Sequence, residues 1–315
     1  MDTRLLIFTT LLYLAFLSGC SDSSQKDYSV ESGTVTVGDV NIFFESLGEG
    51  PPILVVHGGP GLDHGYLRPG LDPLSEAGRL IYYDQRSVGK SGDQPSPHSV
   101  NLDRALADIE ALRKGLGIHK MHLVGHSWGA ILAMLYAARN PDQVFSLVLM
   151  TPSPPTYSGM LQLEAMKRAR RSKEDDQALS ALVESEPYLL GEPEAINQFM
   201  NRWFRVYLSP SSTPDTLAFK LHPNTAKNWA QVNRFMIRQL GHYDFLPDAA
   251  DIEVPTLLIQ GEEDVLPTIV YQRLHRNIPN AEHVLIPNSG HFPFLEQPEV
   301  LFETVIPFID KHSEK

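Results

Sequence analysis

Ser127 stands in Gly125-His126-Ser127-Trp128-Gly129, a serine with glycines two residues away on either side. A serine hydroxyl is a poor nucleophile until a base takes its proton and a third group orients that base. His291, in Asn288-Ser289-Gly290-His291, and Asp264, in Gln260-Gly261-Glu262-Glu263-Asp264, are of the right types. A further piece is His57-Gly58-Gly59-Pro60-Gly61, where glycines let the backbone come close to a reacting carbonyl. The N–H groups of Gly59 and Trp128 could together hold a developing oxyanion, and removing one such donor costs about 2.7–4 kcal/mol of transition-state stabilisation. Together these groups would transfer an acyl group to Ser127 and then hydrolyse the acyl-enzyme. Singly, none of them specifies that chemistry. A glycine-rich turn can carry an idle serine, Glu262 and Glu263 compete with Asp264 for the acid's role, and twelve histidines are present where one is needed.

The elements that must deliver these residues lift His291 above the other histidines, while Glu262 and Glu263 share the loop of Asp264 and stay in competition with it. Residues 53–56, 80–83, 121–124, 146–150, 255–259 and 283–286 are short apolar runs that read as buried strands, and 33–44 reads as two strands about a Gly38-Asp39 turn. Apolar residues at 102, 105, 106, 109, 112 and 116 predict a helix over 101–116; 128–139 is an apolar helix closed by Asn140-Pro141, and an amphipathic helix covers 299–309. Short apolar strands separated by helices predict an α/β fold, a mostly parallel sheet covered by helices on both faces. Ser127 then lies between a strand and a helix, the setting of a nucleophile elbow. The loops of Gly59, Asp264 and His291 each follow a strand, at its carboxyl end. The alternation breaks at Thr151-Pro152-Ser153-Pro154-Pro155. Residues 160–171, 175–185, 194–208 and 226–240 are helical, which predicts an inserted helical cap over 153–247 and a core made of 33–152 and 248–315. Trp203, Phe204, Tyr207 and Trp229 of this cap are candidates either to line a pocket or to pack its helices together.

Three blocks resemble the α/β-hydrolase family, and within it the proline iminopeptidase branch. His57-Gly-Gly-Pro-Gly61 matches that branch's oxyanion loop in full. Asp84-Gln-Arg-Ser-Val-Gly-Lys-Ser91 is similar to its Asp-Gln-Arg-Gly-x-Gly-x-Ser block, with Ser87 in place of a glycine. Gly125-His-Ser-Trp-Gly129 is similar to its Gly-Gly-Ser-Trp-Gly elbow, with His126 in place of the second glycine. The resemblance covers roughly residues 34–308. It implies the α/β-hydrolase fold, with nucleophile, acid and base at Ser127, Asp264 and His291 and oxyanion donors at Gly59 and Trp128. It further implies an aminopeptidase that releases N-terminal proline or another small residue from short peptides, without a cofactor. Such enzymes bind the substrate's free amine with acidic residues of the cap; Glu184, Glu186, Glu192 and Glu194 are the candidates here, with Asp215 and Asp244 beside them. Each of these also reads as solvated surface charge. Two alternatives stand next to the peptidase: an esterase or amide hydrolase of small acyl substrates, and a catalytically idle fold used for binding at the cell envelope.

Composition narrows the field from another side. With 315 residues, 42% of them hydrophobic and 20% charged, the chain can bury a sizeable core. Its 26 basic and 38 acidic side chains give a net charge of −12, which disfavours nucleic acid as a partner. The histidines form no metal-binding pattern, and no dinucleotide fingerprint follows a strand, so neither metal nor cofactor is expected. The single cysteine, Cys20, excludes an internal disulfide and closes Leu17-Ser18-Gly19-Cys20. Residues 5–17 form an apolar run shorter than the roughly 20 residues that cross a bilayer, the length of a signal-peptide core. The pattern resembles a bacterial lipobox, with an ordinary secretory signal that happens to contain a buried or inert cysteine as the alternative. Residues 1–19 are then a signal peptide, Cys20 the lipidated N-terminus and 20–32 a polar tether, and the protein is a lipid-anchored envelope protein facing the periplasm.

Overall fold

The computed structural model describes residues 29–92 and 94–313. The signal peptide, Cys20 and most of the tether inferred from the sequence lie outside the described residues. Eight strands form one sheet: β1 (Glu31–Val37), β2 (Val40–Leu47), β3 (Pro52–Val56), β4 (Arg79–Tyr83), β5 (Met121–His126), β6 (Val144–Met150), β7 (Thr256–Gly261) and β8 (Ala281–Ile286). Their spatial order is β1-β2-β4-β3-β5-β6-β7-β8. β1 and β2 are a hairpin and β2 runs antiparallel to β4, while every pairing from β4 to β8 is parallel. The central strands are buried along almost their whole length, which is why they read as unbroken apolar runs rather than as alternating ones.

Helices α1 (Leu102–Gly115) and α2 (Trp128–Arg139) follow β4 and β5. Every residue of α2 from 128 to 137 is buried, so this helix is apolar all round rather than amphipathic. Between β6 and β7 the chain leaves the sheet for α3 (Tyr157–Arg170), α4 (Lys173–Glu184), α5 (Glu186–Leu189), α6 (Pro193–Trp203), α7 (Pro223–Leu240) and α8 (Leu246–Ala250). Local signals set their ends. The Thr156 and Ser172 hydroxyls accept from the N–H groups of Gly159 and Asp175, and Pro193 and Pro223 open α6 and α7. The helix predicted over 175–185 is α4, which ends at Glu184 with Ser185 as its C-cap, and Pro187 stands in the first turn of the separate helix α5. The helix predicted over 194–208 ends at Trp203 and closes as a 3-10 turn over Phe204–Tyr207. After β7 and β8 come α9 (Thr268–Asn277), α10 (Pro293–Glu296) and α11 (Pro298–Lys311). The helix α9 was not anticipated, because Thr268-Ile269-Val270 has the branched side chains of a strand; its buried Val270, Tyr271 and Leu274 nevertheless follow helical spacing.

Candidate active site

The parallel strands bring four loops to the carboxyl edge of the sheet, the place where open α/β sheets bind ligands. Ser127 follows β5 directly, with φ 57° and ψ −121°, a conformation that side chains other than glycine rarely adopt. The surrounding backbone enforces it. The Ser127 N–H donates to the Met150 carbonyl at 3.1 Å, and the Ser127 carbonyl accepts from Ala130 and Ser153, each at 3.0 Å. The flanking glycines have a steric reason. A Cβ on Gly129 would lie 2.0 Å from the Val56 carbonyl oxygen, and one on Gly125 would lie 2.5 Å from the Ala130 Cα.

β8 leads to His291 and β7 to Asp264. His291 Nδ1 lies 2.9 Å from Asp264 Oδ2. A carboxylate only accepts, so Nδ1 carries the proton and Nε2 presents its lone pair. That Nε2 is buried with no hydrogen-bond partner, and His291 and Ser127 line the same cavity. Asp264 also accepts from the Tyr271 hydroxyl and, at 3.2 Å, from the Leu266 N–H. Burial works against the Asp264 charge, but the adjoining His291, the Tyr271 hydroxyl and the Leu266 N–H outweigh it and hold its pKa below the ordinary value. Of the competing acids, Glu262 is exposed and Glu263 accepts from the Ser209 hydroxyl. Ser127 Oγ rests 3.3 Å from the hydroxyl of Ser153, a residue that sequence reasoning missed.

The donors for an oxyanion lie on two sides of this group. α2 begins at Trp128, so the Trp128 N–H has no carbonyl to meet within the helix, and the positive end of the helix dipole faces the nucleophile. Gly59 has φ 129°, and a Cβ there would lie 2.5 Å from the Gly61 nitrogen.

A cavity of about 520 Å³ opens over the serine. Its walls come from the helices between β6 and β7: Met160 and Leu163 on α3, Phe199 and Trp203 on α6, Trp229 and Ile237 on α7. Among the described residues lining it, Glu164 is the one carboxylate, and it is paired with Lys167 at 2.7 Å. The Lys167 ammonium also stands 4.5 Å above the Trp203 ring, and burial pushes its pKa down. Glu184, Glu186, Glu192 and Glu194 are all exposed and none of them lines the cavity; Asp215 and Asp244 are exposed as well. The reason is the facing of their helices, since α4 turns Leu179 inward and α6 turns Ala195, Ile196, Phe199 and Met200 inward. Of the cap aromatics, Trp203, Phe204, Tyr207 and Trp229 all line the cavity, and Phe199 stacks on both Trp203 and Trp229. No group of three or more metal-ligating side chains occurs among the described residues.

A serine at a strained strand–helix turn, a histidine–aspartate pair beside it and a roofed apolar cavity describe a hydrolase that works through an acyl-enzyme. Residues 51–298 match the family with the alpha/beta hydrolase fold. The chain is 30% identical over 279 residues to the proline iminopeptidase of Clostridium botulinum, covering 85% of this chain and 93% of that protein. The crystal structure of proline iminopeptidase from Mycobacterium smegmatis superposes with a TM-score of 0.69 at 25% identity, over 90% of this chain and 98% of that one. An esterase from Exiguobacterium antarcticum shares the fold, with a TM-score of 0.64 at 22% identity over 88% and 98% of the two chains. The chain belongs to the α/β-hydrolase family, in its proline iminopeptidase-like branch, and is a serine hydrolase.

Proposed function

We propose that Ser127, His291 and Asp264 are the catalytic triad of an aminopeptidase that releases N-terminal proline or another small residue from short peptides. The observation that carries the triad is the His291–Asp264 bond at 2.9 Å with His291 Nε2 left unpartnered in the cavity that Ser127 lines. On substrate binding Ser127 Oγ turns from Ser153 to His291 Nε2, which takes its proton as Oγ attacks the carbonyl carbon. The N–H groups of Gly59 and Trp128 stabilise the resulting oxyanion. His291 then protonates the departing amine, water enters, His291 deprotonates it, and the acyl group leaves Ser127. Asp264 stays ionised throughout and holds the imidazolium.

The peptidase reading rests on the named relatives and on Glu164, the carboxylate that a substrate ammonium would meet in the cavity. One observation favours the second reading, an esterase or amide hydrolase of uncharged acyl groups: Glu164 is already neutralised by Lys167 within a mostly apolar chamber. Comparing free and N-acetylated aminoacyl arylamides tests the choice. The peptidase cleaves only the free amine, whereas equal cleavage of both establishes the second reading.

The proposal extends to location. Leu17-Ser18-Gly19-Cys20 and the polar residues after it support a lipid anchor at the cell envelope. Stable anchoring takes more than one acyl chain, so a fully lipidated Cys20 partitions with membranes. Cys20→Ser releases the protein or leaves an uncleaved precursor, and wild-type protein found wholly soluble with a free thiol contradicts the anchor.

A further inference from the structure

His126 departs from the glycine that the resembling branch carries before its nucleophile, and the triad makes no use of it. It is 1% exposed, and its ring is enclosed by the rings of Tyr66, His291, Phe292 and Phe294, with centroids 5.1–5.5 Å away. Nε2 lies 2.8 Å from the His291 backbone carbonyl, and Nδ1 lies 2.7 Å from the Tyr66 hydroxyl oxygen. That oxygen in turn accepts from the Gly58 N–H at 2.8 Å.

Both ends of this chain fix its direction. A carbonyl only accepts, so His126 Nε2 carries the proton and Nδ1 is bare. The Tyr66 hydroxyl therefore donates to Nδ1, and its oxygen is free to accept from Gly58. The hydrogen bonds run from Gly58 N–H through Tyr66 O–H and His126 Nε2–H to the carbonyl of His291. Burial drives the pKa of His126 down to about 3, so the ring stays neutral and keeps this tautomer across the working pH range. A second histidine holds the same loop from the other side. His57 Nε2 accepts from the Gln85 N–H at 3.0 Å, so His57 Nδ1 carries the proton and donates to the Gly58 carbonyl at 3.0 Å. The peptide that contains the Gly58 carbonyl also contains the Gly59 N–H. There is little slack, since a Cβ on Gly58 would lie 2.9 Å from the Tyr66 hydroxyl and 3.0 Å from Ser127 Cβ.

We propose that His126 is a positioning residue that acts through Tyr66 to set the oxyanion loop at Gly58-Gly59 against the loop of the base His291. It touches neither substrate nor reacting atoms. Its work is to fix where the Gly59 N–H points relative to Ser127 and His291, within the hydrolase reading given above. The His291 carbonyl keeps a second donor, the Thr151 hydroxyl at 2.9 Å, whereas the Gly58 N–H has Tyr66 as its partner. Breaking the chain therefore loosens the oxyanion loop more than the base.

The test compares Tyr66→Phe, His126→Phe and His126→Asn with wild type in the full chain. Probes are p-nitrophenyl acetate for turnover, phenylboronic acid as a former of a tetrahedral adduct, and a fluorophosphonate for the reactive serine. Misplacing one oxyanion donor lowers kcat by about 10–100-fold. Tyr66→Phe and His126→Phe should show that loss with KM within about threefold of wild type, and boronate affinity should fall by the same factor as kcat. The double variant should be no worse than the poorer single one, because both break one chain. Asparagine places an amide oxygen where Nδ1 was, so His126→Asn should recover most of the kcat lost in His126→Phe. A packing role ranks these two the other way, since phenylalanine fills the ring-lined site better. Near-wild-type kcat in Tyr66→Phe, additive losses, or unchanged boronate affinity overturns the proposal. If His126→Phe fails to fold, Tyr66→Phe, which deletes one oxygen, decides alone. A wild-type protein that the fluorophosphonate does not label refutes the hydrolase reading itself, and this proposal with it.

Discussion

At the scale of single residues, the site rests on which acid holds His291. Asp264 is within hydrogen-bond reach and Glu263 faces Ser209 instead, so the two neighbours should separate cleanly on mutation. Asp264→Asn should lower kcat by orders of magnitude, with about 10⁴ as the serine-protease precedent, and Glu263→Gln should leave it within a few-fold. Steady-state kinetics on an aryl ester reads this; a silent Asp264→Asn contradicts the assignment. A second contrast lies in the cavity. Glu164→Gln should raise KM for free-amine arylamides and spare acetylated ones if Glu164 receives the ammonium, and equal effects on both substrates would remove it from that role. Ser127, Asp264 and His291 were legible in the sequence because each follows a strand at the end where the fold places chemistry. Glu164 was not. It and Lys167 are three residues apart on α3, the same pattern as a solvated surface pair, and only the placement of α3 over the strand ends turns them inward. The cap glutamates looked equally suitable on paper and face water.

At the scale of elements, the elbow joining β5 to α2 carries the tightest geometric demand. The strain at Ser127 is held by backbone contacts on three sides, and the Gly129 position abuts the β3 backbone, which has no flexible side chain to yield. Gly129→Ala should therefore destabilise the protein by on the order of 3 kcal/mol, as a lowered melting temperature with intact ellipticity at low temperature would show. An unchanged melting temperature contradicts this account of the motif's spacing. Most strands were legible because burial on both faces of a parallel sheet demands apolar runs. The pairing order was not, since it depends on tertiary contacts that a single sequence does not display. The helix α9 escaped for a local reason, its branched first turn, and the end of α6 shifted because the chain tightens into a 3-10 turn over Phe204–Tyr207.

At the scale of the whole molecule, one buried charge network ties β2 to the segments that follow β3 and β4. His64 donates through Nδ1 to Asp84 at 2.7 Å and through Nε2 to Glu45 at 3.1 Å, while Arg68 grips Asp72 and Glu45. Burial opposes the His64 charge, but its two carboxylate partners prevail and raise its pKa from 6.5 to about 9. Burial likewise opposes the charge of Glu45, yet His64 and Arg68 lower its pKa from 4.5 to about 2. A raised histidine stabilises the fold fully below its unfolded value and ceases to do so as pH rises through about 9; a lowered carboxyl stabilises above about 4.5 and ceases as pH falls through about 2. The network therefore contributes most between about pH 4.5 and 6.5. Melting temperature should decline from pH 6.5 to 9.5 more steeply in wild type than in His64→Gln, and parallel declines contradict the role of His64. The central claim, that this fold presents one activated serine, is tested most directly by reaction with a fluorophosphonate followed by peptide mass mapping. The expected result is a single adduct on Ser127, absent in Ser127→Ala and formed much more slowly in His291→Ala. No adduct, or an adduct on Ser153 in its place, contradicts the account.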